Sequence, residues 1–258
     1  MSARTTAGAT GPTYVALGDS YASGDGAPPY DAVPANCHRA AAAWPRLLAA
    51  ATPSIGAVDL EACGGAQTKH LTGAWPEKKL PPQLPATPNP SVTLVTLVIG
   101  GNDLGVGSML NSCWLTSCPS PTSLSFTTKL AALKSTLVNK IYPAIHAAFP
   151  NARVAHVGYP QITPAPGIKP VGCGWLSAAD QKNLKGIIDA MDNTIRAATV
   201  QAGTVTFVET RAAVSGHEMC TAAPWINPMG GAPTPGHPNG QGQQAVEATV
   251  ATSGIAGP

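Results

Sequence analysis

A serine hydroxyl is a weak nucleophile near neutral pH and needs a base beside it. Imidazole is the side chain best suited to take and return that proton. The sequence offers Ser20, in Gly18-Asp19-Ser20-Tyr21, and His237, in Gly236-His237-Pro238-Asn239. Two other short blocks, Gly64-Gly65-Ala66 and Gly100-Gly101-Asn102-Asp103, bring glycines and a side-chain amide. Acyl transfer builds a negative oxygen, and preorganised donors around that oxygen are often its largest catalytic term. Each block also has a plainer reading. Ser20 suits a turn or helix cap, and Asp19 suits hydrogen bonding within that turn. Asn102 and Asp103 suit a strand-end turn, with Asp103 in support. His38, His70, His146, His156 and His217 compete with His237. His217-Glu218 lacks the second histidine of a zinc motif, and Gly105-x-Gly107 and Gly172-x-Gly174 lack the third glycine of a dinucleotide fingerprint. No metal and no cofactor are expected. The G-x-S-x-G elbow of α/β-hydrolases is absent around Ser20.

The elements around these blocks explain how they meet. Tyr14–Leu17, Val92–Ile99, Val154–Val157 and Val205–Val208 read as buried strands, with Ala57–Leu60 a weaker fifth. Val92–Ile99 is nearly free of polar residues, as a strand covered on both faces must be. Leu130, Leu133, Leu137, Ile141 and Ile145 mark one helical stripe, and Pro143 predicts a break near Tyr142. Leu184, Ile187, Ile188, Met191 and Ile195 mark another, with Ser177 and Asp180 as its start signal. Further helices are expected over Trp44–Ala51, with Pro45 in the first turn, and after Pro238. Strands alternating with helices predict an α/β fold around a short parallel sheet. The serine, glycine and asparagine blocks follow strand candidates, so they should open onto one edge of that sheet. The carboxyl edge is where such folds carry function.

The 258 residues fit a single domain over 1–258, with 1–12 a flexible N-terminal segment. Pro76 to Pro90 reads as a surface loop within it, and Gly158 to Gly174 and Thr221 to Gly236 are also loop-like. A net charge of +2 with no basic stripe argues against nucleic acid as a partner. Charged residues make up only 11%, yet no apolar run reaches bilayer length, so no transmembrane segment is expected. The six cysteines form no C-x-x-C pair and no zinc-spaced cluster, which favours disulfides in an oxidising compartment. The opening MSARTTAGAT lacks the apolar core of a signal peptide. The expectation is a mature, secreted chain carrying an added initiator Met.

Together the blocks resemble the SGNH hydrolases, a branch of the GDSL esterase and lipase family, over nearly the whole chain. The marker residues match Ser20 in GDSY, Gly65 in CGGA, Asn102 in GGND and His237 in GHPN, in the family's order. Gly64 rivals Gly65 for the second place. The resemblance implies a flavodoxin-like three-layer α/β/α sandwich. It implies Ser20 as nucleophile and His237 as base. The Ser20 N–H, the Gly65 N–H and the Asn102 amide would be the oxyanion donors. Many members carry an aspartate three residues before the histidine, where this chain has Thr234. Some secreted members orient the histidine with a backbone carbonyl, which implies here a Ser20–His237 dyad with the Thr234 carbonyl on Nδ1. Glu209 or Glu218 would be the distant alternatives. The resemblance also implies pairing of successive cysteines: Cys37–Cys63, Cys113–Cys118 and Cys173–Cys220.

The expected activity is hydrolysis of carboxylic esters through an acyl-enzyme by a monomer, with a small ester or lipid as substrate. Glycerides, fatty esters and phospholipid acyl chains are the foremost class. An acetyl esterase acting on polysaccharide is the enzymatic alternative. A secreted binding protein without turnover is the alternative outside enzymes.

Overall fold

A computed structural model describes residues 13–231 and 234–257. The expected flexible segment 1–12 lies outside the described residues. The strands are β1 (Tyr14–Gly18), β2 (Val58–Leu60), β3 (Leu94–Val98), β4 (Arg153–Val157) and β5 (Val205–Val208). All pair in parallel, in the order β2-β1-β3-β4-β5. Every residue of β1 and β3 is buried, as expected for a sheet covered on both faces. β3 is shorter than the apolar run that announced it. Thr93 N–H donates to Thr13 C=O before the ladder begins, and the chain turns at Gly100.

Nine α-helices connect and cover the strands among the described residues: α1 (Ser20–Ser23), α2 (Trp44–Ala51), α3 (Lys69–Thr72), α4 (Gly101–Leu104), α5 (Val106–Leu115), α6 (Leu124–Thr136), α7 (Tyr142–Ala148), α8 (Ala178–Ala202) and α9 (Gly240–Thr252). α2 packs on α9, where the buried Gln243 carbonyl accepts from Trp44 N–H at 3.0 Å. α6 packs on α8. The three-layer α/β/α sandwich is therefore the architecture. The capping box is present at α8: Ser177 Oγ accepts Asp180 N–H, and Asp180 accepts Ser177 N–H. Asn239 caps α9 in the same spirit, its side chain accepting from Gln241 and Gly242. The break expected near Tyr142 takes the form of a π-helical turn over Leu137–Ile141, after which α7 restarts with Pro143 in its first turn. Proline has no N–H to give and crowds the carbonyl four residues back, so the wider turn absorbs it.

The strand order reverses direction between β1 and β3, which lie side by side in register from Tyr14–Leu94 to Gly18–Val98. Chains leaving such a switch point diverge to opposite faces and leave a crevice at the carboxyl edge. Gly18 closes β1 there at φ 134°, and a Cβ on it would meet the Val98 carbonyl oxygen at 2.1 Å, so only glycine fits.

Candidate active site

The crevice collects the four marker residues. Ser20 opens α1 just beyond β1, and its N–H, at the first helical position, has no acceptor in its own helix. Asp19 caps that helix: one carboxylate oxygen accepts Tyr21 N–H at 3.0 Å and the other accepts the Tyr159 hydroxyl at 2.6 Å. Burial pushes the Asp19 carboxyl up to about 7, although both oxygens only accept. Asp19 thus supports the turn, as its sequence context implies.

His237 Nε2 stands 2.7 Å from Ser20 Oγ. Its Nδ1 stands 3.1 Å from the Pro235 carbonyl, which obliges Nδ1 to carry the proton and leaves Nε2 to accept from the serine. The Thr234 carbonyl, expected to orient the imidazole, accepts the His237 backbone N–H at 3.3 Å, and together with the Pro235 carbonyl it favours the protonated ring. Thr234 itself sits in a left-handed turn at φ 44°. Burial lowers the His237 pKa, with the Asp25 carboxylate opposing, so the ring is neutral and basic at physiological pH. Neither distant acid reaches it. Glu209 is held down to about 2 by Arg211 and pairs with Arg196 as well. Glu218 accepts the Gly216 N–H.

The donors converge from two more loops. One amide hydrogen of Asn102 goes to the Ala66 carbonyl at 3.0 Å, leaving the other for the crevice. Asp103 accepts Thr68 N–H and its hydroxyl, and Gln67 donates to the Asn102 carbonyl, so the Asn102 and Gly65 blocks are knitted together. Gly65 sits at φ 82°. The Gly64 N–H is taken by the Cys37 carbonyl at 2.9 Å, whereas no acceptor among the described residues faces the Gly65 N–H. That difference separates the two glycines, which the sequence leaves as rivals.

Several supports have no local sequence signal. Tyr159, after β4, accepts Gly101 N–H at 3.0 Å while donating to Asp19, tying the Asn102 block to the Ser20 turn. Tyr21 donates to the Gly236 carbonyl at 2.6 Å and lays its ring 4.8 Å from the His237 ring. Buried Asp25 accepts the Thr234 hydroxyl at 2.5 Å and pairs with His38 at 3.1 Å. The other histidines are placed elsewhere. His156 lies in the core between Tyr142 and the Ile99 carbonyl, and burial pushes its pKa down to about 3. His70 stacks on Trp75 and His217 on Trp225, while His146 bonds Thr204.

The cysteines pair as Cys37–Cys63, Cys113–Cys118 and Cys173–Cys220. A cavity of about 240 Å³ opens from Ser20 and His237 between Val106, Leu110, Ile162, Ile188 and Met191. A larger groove of about 780 Å³ lies between the 81–89 loop and α7 and holds none of the marker residues. No helix among the described residues is long and apolar enough to cross a membrane.

The profile of the GDSL-like Lipase/Acylhydrolase family matches residues 16–245. "Lipase 1" of Streptomyces coelicolor is 36% identical over 218 residues, which is 83% of this chain and 75% of that one. "Lipase 2" of the same organism is 33% identical over 247 residues, 90% of this chain and 82% of its own. Among solved structures, a phospholipase A1 from Streptomyces albidoflavus NA297 superposes with a TM-score of 0.70 at 29% identity, covering 93% of this chain and 98% of its own.

Proposed function

Because this chain belongs to the GDSL-like lipase/acylhydrolase family and is a carboxylic ester hydrolase, we propose that it cleaves lipid-type acyl esters on Ser20 through an acyl-enzyme. The observation that carries the reading is the 2.7 Å contact between Ser20 Oγ and a neutral His237 Nε2 beneath three free N–H donors. Nε2 takes the hydroxyl proton as Oγ attacks the ester carbonyl. The imidazolium then keeps its Nδ1 proton on the Pro235 carbonyl. Ser20 N–H, Gly65 N–H and the Asn102 amide receive the oxyanion. Collapse expels the alcohol, which leaves with the proton from Nε2. A water then enters by the same path and adds to the acyl carbon as Nε2 takes its proton; Nε2 returns that proton to Ser20 Oγ as the acyl–Oγ bond breaks, and the acid departs. A backbone carbonyl can orient the ring because it needs only to accept one hydrogen bond.

The apolar cavity wall of Val106, Leu110, Ile162, Ile188 and Met191 supports an acyl chain as the group held there. A site built for acetyl groups on polysaccharide has no use for Leu110, Ile188 and Met191 at its wall. We read the protein as a single-domain monomer. The three disulfides support export to an oxidising compartment.

The test is hydrolysis of p-nitrophenyl esters from two to sixteen carbons, by the protein and by Ser20→Ala. Activity peaking at medium or long chains and absent from Ser20→Ala is expected. Activity confined to acetyl would turn the reading to the polysaccharide class. Hydrolysis that survives Ser20→Ala would overturn it.

A further inference from the structure

We infer that Lys78 is a positioning residue for the oxyanion hole, acting through the Gly64–Gly65 peptide. Its ammonium donates to the Gly64 carbonyl at 2.6 Å and to the Asn36 carbonyl at 2.6 Å. Asn36 precedes Cys37 and Gly64 follows Cys63, so the one cation spans both flanks of the Cys37–Cys63 bridge. The ammonium also sits 4.5 Å from the Trp75 ring centroid, and Trp75 is in turn stacked on His70. His70 Nδ1 accepts Gln67 N–H, which closes the support onto the loop after Gly65.

The Gly64 carbonyl and the Gly65 N–H belong to one peptide unit. In a planar trans peptide the two point in opposite directions. Fixing the carbonyl on Lys78 therefore fixes the N–H in the crevice. A peptide whose oxygen already accepts from a cation is a stronger donor at nitrogen, because hydrogen bonds in a chain polarise one another. The arrangement matters most when negative charge develops on the substrate oxygen. Lys78 should thus help the transition state more than the ground state.

The inference rests on the proposed role of the Gly65 N–H, and the experiment separates the two. Lys78→Met, Lys78→Arg and Ser20→Ala are assayed on p-nitrophenyl octanoate, with thermal melts as a check on folding. Inhibition by an alkyl boronic acid, whose serine adduct is tetrahedral and anionic, is measured for the two Lys78 variants. Lys78→Met is expected to lower kcat about tenfold with KM within twofold, and to weaken boronate inhibition by the same factor. Lys78→Arg should recover most of both. If Lys78→Met keeps kcat and boronate affinity within twofold, Lys78 has no such role. If its losses fall on KM or melting temperature alone, Lys78 is only a strut. Activity surviving in Ser20→Ala would sink the functional reading itself, whatever Lys78 does.

A separate observation points to a surface. We propose that the rim of the crevice docks on a neutral lipid surface. The chain has 28 charged residues in 258, yet 104–128 and 219–236 carry no Asp, Glu, Lys or Arg, and 157–179 carries only Lys169. Five of the seven large apolar side chains exposed among the described residues lie on these segments: Trp114, Leu115, Leu124, Ile168 and Val171. They are brought together at the start of α8, where Asp180 accepts Cys118 N–H and Gln181 donates to the Ile168 carbonyl. Trp114 lies beside Gly230. Segments 104–128 and 157–179 also supply Leu110 and Ile162 to the cavity wall, so the apolar rim is continuous with the place an acyl chain would enter. An uncharged apolar rim with a tryptophan is the pattern that sits at a lipid–water boundary.

Ser20→Ala, which keeps the surface, is mixed with phosphatidylcholine vesicles and sedimented, alone and with Leu115→Glu plus Leu124→Glu. The parent should sediment, and the double change should weaken binding at least tenfold. In active protein the same pair should leave hydrolysis of soluble p-nitrophenyl butyrate unchanged. Equal sedimentation of both proteins, or none by either, would overturn the proposal.

Discussion

The imidazole of His237 is held on three sides: by the Pro235 carbonyl at Nδ1, by the Tyr21 ring, and by Asp25 through Thr234. None of these is the aspartate that many relatives place three residues ahead. Without a direct carboxylate, burial decides the ring's proton affinity and lowers it. The base must be neutral to act, so kcat/KM should rise with pH through a midpoint below the ordinary value of about 6.5. A pH–rate profile on a soluble ester checks the sign, and a midpoint above that value would mean that Asp25 dominates. At the donor side, Asn102→Ala should lower kcat about 100- to 1000-fold with little change in KM. The same change frees the Ala66 carbonyl, so a melting curve belongs with the kinetics.

At the scale of elements, the long helix α8 links stability to the site. Its Asp192 accepts the Tyr159 N–H at 3.1 Å, and Tyr159 ties Asp19 to Gly101. Ser177→Ala removes the cap of α8 and should cost about 1 kcal/mol, read as a fall of about 2–4 °C in Tm. The cap and the apolar stripe of α8 were legible because both are local patterns. So were the runs that became β1 and β3 and the marker blocks after them. α5 was not, since Val106–Leu115 follows a left-handed Gly105 and lacks a clear stripe. Tyr21, Asp25, Lys78 and Tyr159 were not legible as site residues for a different reason. Their side-chain links to Gly64, Gly236, Thr234 and Asp19 span 14 to 215 residues, and only the folded chain supplies them. How the Thr234 and Pro235 carbonyls share the ring was not legible either, since it turns on the left-handed backbone at Thr234.

For the whole molecule, the disulfides and the parallel sheet set how the parts are held. Cys173–Cys220 closes 47 residues and joins the loop after β4 to the segment that leads toward His237. Replacing both cysteines by alanine should destabilise the protein by about 4 kcal/mol on the loop-closure account, measured by guanidinium unfolding. An unchanged midpoint would mean that packing alone holds that loop. The site is also built from residues far apart in the sequence, since Ser20 and His237 are separated by 217 positions. A ribosome adding about 5–20 residues per second needs roughly 10–40 s to travel from one to the other. Throughout that interval the serine exists without its base. Hydrolytic competence therefore arrives only once His237 has been added and folded in, and a nascent chain that stops short of it is harmless to the esters around it.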